Sequence, residues 1–313
     1  MSLPARRPVV FVHTNAKQRL GALVSAHSFR RNARDPDAFE VRLLETEHSP
    51  ALIGAAGRTF LRAGHRRVWD PQDLQSFTPL RFAVPDAVGH EGLALVVDPD
   101  VFAVGDAGEL FAGDHFADPR KAIWCRARPG HNDSADYLAT SVMLLHCGRL
   151  PHWRFDEDLG ALFDGRLDYV DWIELRREAR DTIGLLDPVW NDFDRLAPDT
   201  RLLHTTKRRT QPWKTGLPID FTLRERGIGP IPASVVTPLL RWWASRSRYL
   251  PHPDKRQEAY FFALLAECLD NGDVTLPMIR DEIARRHVRP DALEMAERSR
   301  GQFWPAAAEQ RAA

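Results

Sequence analysis

The sequence has few cysteines and no apolar run long enough to cross a membrane. Its three cysteines, Cys125, Cys147 and Cys268, stand far apart and form no CxxC pair. This argues against a cysteine zinc site or a disulfide framework, and it favours a reducing compartment. No segment approaches the roughly 20 apolar residues that a transmembrane helix needs, and residues 1–7 are too short to form a signal peptide ahead of the first strand. We therefore expect a cytoplasmic protein with no transmembrane segment.

An excess of either charge is also missing. Lysine plus arginine and aspartate plus glutamate number 43 each. Without a net charge the chain has no global field that would attract nucleic acid or an anionic membrane, so we expect no nucleic-acid partner. Hydrophobic residues make up 43% of the 313 positions and charged residues 27%, which is an ordinary balance for a globular protein of one or two domains.

What the sequence does contain is a β-α-β pattern at its start. The β-branched run PVVFVH at 8–13 predicts a buried parallel strand, residues 18–31 predict a helix, and the alternating segment 39–44 predicts a second strand. Further strands are predicted at 93–97, 122–127, 141–145 and 201–204, and further helices at 230–249, 255–271 and 276–300. We predict one α/β domain over residues 1–216 and a helical C-terminal extension over 217–313 packed on it.

Two carboxylates follow the strongest predicted strand, LALVV at 93–97. Asp98 and Asp100 flank Pro99 immediately after this strand. Ligands of open α/β sheets bind at the carboxyl ends of strands. Two carboxylates one residue apart at that edge can share a hard cation such as Mg²⁺ or Mn²⁺, which in turn can bridge phosphate groups. The motif predicts a metal site. The alternative is a solvent-exposed turn that is capped by an aspartate and binds no metal.

Two further features point towards an anionic ligand. Arg81 lies upstream in the segment 77–88, which we predict to be helical, and its guanidinium matches phosphate oxygens. His204 ends the predicted strand at 201–204, where a neutral imidazole is a reasonable Mn²⁺ ligand beside carboxylates. A polar loop with several basic residues follows it.

Together these stretches resemble the family 8 glycosyltransferases, the group that includes glycogenin and bacterial lipopolysaccharide galactosyltransferases. The resemblance spans residues 8–216 and rests on four stretches in the family's order. These are VHTN with the following GALV, the segment from Arg81 through Asp98-Pro99-Asp100 to Phe111, the segment YLATSVMLL at 137–145, and Trp190-Asn191 with His204 and QPWK at 211–214.

The resemblance implies a GT-A-type fold, which is Rossmann-like with a mostly parallel sheet flanked by helices. It also implies a retaining transfer of a hexose from a UDP-sugar to a saccharide, a lipid-linked or a protein acceptor. Carried over by position, the implied nucleotide-sugar contacts are His13, Thr14, Asn15, Arg81, Asp98, Pro99, Asp100, Asn191, Lys207 and Lys214. The implied ligands of Mn²⁺ or Mg²⁺ are Asp98, Asp100 and His204.

The chain departs from the family's motifs at three places. Ala139 stands where an asparagine is usual, Leu186-Asp187 where the family has an Asp-Gln pair, and Gln211 where a phosphate-binding lysine belongs. Lys207, Arg208, Arg209 or Lys214 would have to replace that charge. By this correspondence Asp187 would lie on the face of the sugar opposite the leaving group, where a carboxylate stabilises developing positive charge, and it is our candidate catalytic residue.

Two other functions fit parts of the sequence. The altered motif positions are consistent with a nucleotide-sugar fold kept as a non-catalytic binding module. Alternatively, the segment LVVDPD resembles the opening motif of haloacid-dehalogenase-like phosphatases, with Asp98 as the nucleophile and Asp100 as the acid. That motif normally lies near the N-terminus and needs a later pair of aspartates after a strand, which this chain does not have.

Overall fold

A computed structural model describes residues 7–128, 137–221 and 246–303. The chain divides into two compact units. Of the described residues, the first unit contains those within 7–72 and 76–204, and the second contains those within 73–75 and 205–303. The predicted boundary at residue 216 stays a prediction.

The first unit is built on a six-stranded sheet of order β2-β1-β5-β8-β7-β9. Its strands are β1 (Val9–Thr14), β2 (Glu40–Glu45), β5 (Leu93–Val97), β7 (Ile123–Arg128), β8 (Tyr137–His146) and β9 (Ile183–Leu185). The pairs β1–β2, β1–β5 and β7–β9 are parallel, whereas β8 runs antiparallel to β5 and β7. The remaining strands are β3 (Thr59–Arg62), β4 (His65–Val68), β6 (Val101–Ala103), β10 (Asp192–Phe193) and β11 (Leu202–His204).

Both faces of this sheet are buried, which explains why its central strands are continuous apolar runs. Alternate residues of one strand belong to different clusters: Val9 and Phe11 pack in one, and Val10 and Val12 in the other. Helix α1 (Arg19–Asn32) contributes Phe29 to the second cluster. The other helices of this unit are α2 (Pro50–Gly54), α3 (Val84–Ala87), α4 (Gly108–Ala112), α5 (Phe155–Phe163) and α6 (Tyr169–Ile173).

A second sheet, of order β10-β11-β6, positions the residues of the Asp98-Pro99-Asp100 motif relative to His204. Strand β6 begins one residue after Asp100 and pairs antiparallel with β11, so that His204 is opposite Val101. Helix α1 anchors β6, since the Ser25 hydroxyl donates to the carbonyl of Val101 (2.5 Å) and the amide of Ala103 donates to the Ser28 hydroxyl (2.8 Å).

The β3–β4 hairpin is fastened to the rest of the first unit by Asp168. Its carboxylate accepts hydrogen bonds from the backbone N–H groups of Ala63 (2.9 Å) and Gly64 (2.8 Å) at the hairpin turn, and from Val170 (2.8 Å) at the start of α6. Burial alone would raise the pKa of Asp168, but these backbone N–H groups outweigh it and hold the pKa below its usual value.

Asp168→Ala is expected to lower the free energy of unfolding by about 1–2 kcal/mol at pH 7, the size of a strong helix cap. Because the pKa of Asp168 is lowered on folding, its contribution is present above the ordinary carboxyl pKa of about 3.9 and is lost as pH falls through the folded value. Urea unfolding at pH 7 and near pH 3 measures both. The control is Ser49→Ala, which removes one cap bond to the Leu52 amide (3.4 Å) and carries no charge. An equal loss for Asp168→Ala at both pH values would contradict the prediction.

The described part of the second unit is largely helical. It contains α7 (Lys255–Asn271), α8 (Leu276–Ala284) and α9 (Ala292–Ser299). The helix predicted over 276–300 is therefore two helices, and the break contains Arg286 at a positive φ of 60°. Most of the helix predicted over 230–249 lies outside the described residues.

The fold class predicted from the sequence is confirmed, since a mostly parallel sheet with flanking helices is followed by a helical C-terminal region. Within the described ranges, no helix is both long and apolar enough to cross a membrane. Cys125, Cys147 and Cys268 are buried, and none of them forms a disulfide bond.

Candidate metal centre

Asp98 and Asp100 lie on a tight turn between β5 and β6. The amide of Asp98 donates to the carbonyl of Ser141 (3.0 Å), which extends the β5–β8 ladder by one residue. The amide of Val101 donates to the carbonyl of Asp98 (3.2 Å) and closes the turn over Pro99 and Asp100. Proline is favoured inside such a turn because its φ is already fixed near the required value.

The pairing of β6 with β11 brings His204 to this turn. His204 is opposite Val101 in the ladder, and its Nε2 lies 3.3 Å from Oδ1 of Asp100. One ligand atom each from Asp98, Asp100 and His204 lie within 4.8 Å of one another. The three residues that the sequence suggested as metal ligands are therefore adjacent in the fold, although about a hundred positions of chain separate the two aspartates from the histidine.

The donor set suits a divalent cation that prefers oxygen and accepts one imidazole, such as Mn²⁺ or Mg²⁺. Oδ1 of Asp98 accepts from Arg81 and His13, whereas Oδ2 accepts from Nη2 of Arg81 (2.6 Å). A carboxylate oxygen has two lone pairs, so Oδ2 keeps one for a cation. The residues present thus fit a metal ion.

Arg81 forms a buried ion pair with Asp98. Its Nη2 donates to both oxygens of Asp98 at 2.6 Å, its Nε donates to Oδ1 at 3.1 Å, and its Nη1 donates to the Thr140 hydroxyl at 2.8 Å. Both side chains are about nine-tenths buried. In this structure the guanidinium neutralises a metal-ligand candidate, and its predicted contact with phosphates stays a prediction.

His13 completes the surroundings of Asp98. Its Nε2 lies 2.9 Å from Asp98 Oδ1, and the ring is fully buried at the end of β1. Burial lowers the pKa of His13 below its usual value although Asp98 raises it, which favours a neutral ring that donates through Nε2. Burial would raise the pKa of Asp98, but the Arg81 charge and the His13 hydrogen bond more than compensate and hold that pKa well below its usual range.

Not all predicted residues come together at this centre. Thr14 and Asn15 are buried next to His13 in the chain, and the Asn15 amide donates to the Ser76 hydroxyl (2.9 Å). Asp187 is exposed and caps the 3₁₀ turn Pro188–Asn191 by accepting from the amide of Val189 (3.0 Å). This is the turn geometry expected of an aspartate before proline, and the catalytic role of Asp187 stays a prediction.

Lys207 and Lys214 belong to the second unit. The side chain of Lys214 is fully buried, and its Nζ lies 2.7 Å from Oδ2 of Asp220, which also accepts from the Tyr249 hydroxyl through Oδ1 (2.5 Å). The resemblance implies a phosphate contact for Lys214, whereas in this structure its Nζ is bound to Asp220 and lies over the ring of Tyr249 (5.6 Å), so that Asp220 balances the buried charge. A phosphate contact by Lys214 would require this ion pair to open.

The sequence reasoning missed two residues of this centre, Thr140 and Ser141. They lie in β8 at an irregularity where Cys125 pairs with Met143 but Arg126 pairs with Ala139. At this bulge the two consecutive hydroxyl groups accept hydrogen bonds from different residues. Thr140 accepts from Arg81, and Ser141 accepts from Asn191. Two adjacent hydroxyl residues in an otherwise apolar strand were the available signal.

No protein-family model and no curated protein matches the chain. Among solved structures, the galactosyltransferase LgtC in complex with donor and acceptor sugar analogs has a TM-score of 0.44 at 15% identity, over 66% of this chain and 89% of that one. The glycosyltransferase GlyE of Streptococcus pneumoniae TIGR4 has a TM-score of 0.46 at 15% identity, over 86% and 64%. The bifunctional WbbM has a TM-score of 0.45 at 11% identity over 69% of this chain, which spans only 48% of WbbM. None of these likenesses is close enough to place the chain in a family.

Proposed function

We propose that this chain is a metal-dependent, GT-A-type glycosyltransferase that transfers a hexose from a UDP-sugar, with retention of configuration, to a saccharide, lipid-linked or protein acceptor. The observation that carries the proposal is the cluster of Asp98, Asp100 and His204 at the carboxyl end of β5. This is the edge at which open α/β sheets bind their ligands.

The charges around the cluster favour an anionic co-ligand. Arg81 forms an ion pair with Asp98 and offsets the charge of one of the two proposed carboxylate ligands. A divalent cation held there by Asp98, Asp100 and His204 would keep about one positive charge. A diphosphate group supplies the missing negative charge, and the bound cation would stabilise it as a leaving group.

The remaining predicted contacts belong to this proposal. His13, Thr14 and Asn15 end β1, the strand next to β5, where the uracil and ribose would bind. Lys207 follows His204 by three residues and would contact the phosphates. Asp187 would stabilise positive charge at the anomeric carbon.

The test is UDP binding by calorimetry with Mn²⁺ and with excess EDTA. We expect UDP affinity to fall at least about tenfold in EDTA, equivalent to about 1.4 kcal/mol. Asp100→Asn should produce the same loss in the presence of Mn²⁺, because it removes one proposed carboxylate ligand and leaves the Arg81–Asp98 pair intact. Asp106→Asn is the matched control, since Asp106 carries the same charge and contacts the amide of Gly108 (2.8 Å) outside the cluster. Equal UDP affinity with and without the metal would refute the proposed metal site.

The alternatives make different predictions. A non-catalytic module would bind UDP with Mn²⁺ but would neither hydrolyse nor transfer the sugar of any UDP-hexose. A phosphatase would form a phospho-aspartate at Asp98. The sequence argues against this function, because it lacks the later pair of aspartates after a strand that such a phosphatase needs.

A further inference from the structure

Asn191 lies against His204 rather than in an open pocket. The Asn191 side chain is fully buried, and its Oδ1 lies 2.8 Å from Nδ1 of His204. Its Nδ2 donates to the Ser141 hydroxyl at 3.0 Å. The sequence predicted a sugar contact for this residue, and the geometry gives its amide two protein partners instead.

These contacts fix which nitrogen of His204 carries the proton. A carboxamide oxygen can only accept, so Nδ1 of His204 must donate to it. In the neutral ring Nε2 then holds the lone pair, and Nε2 is the atom that faces Asp100 (3.3 Å). Metal-binding histidines commonly donate their other N–H to an oxygen acceptor, which fixes the tautomer and the ring orientation.

Asn191 is itself held from two sides. Its backbone carbonyl accepts from Nη1 of Arg126 (2.6 Å). Its partner Ser141 accepts the backbone amide of Asp98 through its carbonyl (3.0 Å), so one residue of β8 connects the Asn191 side chain to the DPD turn. The imidazole of His204 and the turn that carries Asp98 and Asp100 are therefore connected by one set of hydrogen bonds.

We propose that Asn191 is a positioning residue that holds His204 in the Nδ1–H tautomer with Nε2 directed at the metal-binding carboxylates. This inference rests on the proposed metal site for its purpose. The tautomer itself is a property of the metal-free protein and can be measured without any ligand.

The first measurement is ¹⁵N NMR of the imidazole nitrogens in the metal-free protein, with the His204 signals assigned by their loss in His204→Gln. We expect the parent to show His204 with Nδ1 protonated and Nε2 unprotonated. Asn191→Ala should give a mixture of tautomers, because the acceptor is gone. Asn191→Asp should keep the parental tautomer, because a carboxylate also accepts. Asn32→Ala is the control for loss of a partly buried amide elsewhere in the first unit, where Asn32 donates to the carbonyls of Ser28 and Ala103 (both 2.9 Å).

The second measurement is Mn²⁺ affinity by titration calorimetry, in the presence of UDP. Asn191→Ala should weaken Mn²⁺ binding by about 10–100-fold, the usual effect of losing such a partner. Asn191→Asp and Asn32→Ala should stay within a few-fold of the parent. If Asn191→Ala fails to fold, the Asp variant decides, and a loss of the parental tautomer in that variant would overturn the inference.

An unchanged His204 tautomer in folded Asn191→Ala would also overturn the inference, whatever the Mn²⁺ affinity of that variant. If the parent shows no Mn²⁺ binding, the proposed function fails, while the NMR result still decides the role of Asn191 towards His204. The two failures are therefore distinguishable.

Discussion

Arg81→Met is expected to lower the free energy of unfolding by about 3–5 kcal/mol, because it leaves the buried carboxylate of Asp98 without its counter-ion. Three hydrogen bonds from the guanidinium to Asp98, at 2.6, 2.6 and 3.1 Å, would be lost together. The ring of His13 would remain as a hydrogen-bond partner of Asp98 (2.9 Å). Urea denaturation of the parent and the variant measures the difference.

The double variant Arg81→Met with Asp98→Leu shows whether pairing is the cause. It should be less destabilised than the sum of the two single variants, because neither buried charge is then left alone. The control is Arg298→Ala, which breaks an exposed i,i+4 pair with Glu294 and should cost no more than about 0.5 kcal/mol. Additive single effects would contradict the coupling. This coupling also makes Asp100 the better residue for testing metal binding, since a change at Asp98 disturbs folding as well.

Asp187→Asn is expected to slow sugar transfer on the order of 10²-fold, the usual effect of losing one electrostatic group that stabilises a transition state. The expectation rests on the resemblance, which places Asp187 on the sugar face opposite the leaving group. The carboxylate would stabilise the oxocarbenium-like charge, while UDP and Mn²⁺ binding should be unchanged. The measurement is hydrolysis or transfer of the UDP-hexose that binds in calorimetry.

The capping role of Asp187 has to be separated from the catalytic role. Asp187→Ser keeps an oxygen that can accept from the amide of Val189 and preserve the cap. Both Asp187→Asn and Asp187→Ser should therefore fold with nearly parental stability and share the loss of rate. A near-normal rate in both variants, or a product of inverted configuration from the parent, would refute the catalytic assignment.

The sequence by itself predicted the fold class and the three candidate metal ligands. The strand at 93–97 is a continuous apolar run because both of its faces are buried. A run of this kind in the sequence is enough to predict a buried strand. Asp98 and Asp100 mark the carboxyl end of that strand, where chemistry is expected in an α/β fold. The strand and the two aspartates needed only local pattern, because they are adjacent in sequence. His204 is about a hundred residues away and became a candidate through the resemblance to a family.

Only the tertiary structure decided the partners of these residues. Arg81 and Lys214 were expected at the phosphates, and in the structure they are bound to Asp98 and Asp220. Asn191 was expected at the donor sugar, and in the structure it contacts His204. Each partner is brought by a different strand or segment, and strand order and register are non-local properties. A buried charge must find a counter-charge or a hydrogen bond wherever the fold offers one, and the chain sequence alone does not specify which residue that will be.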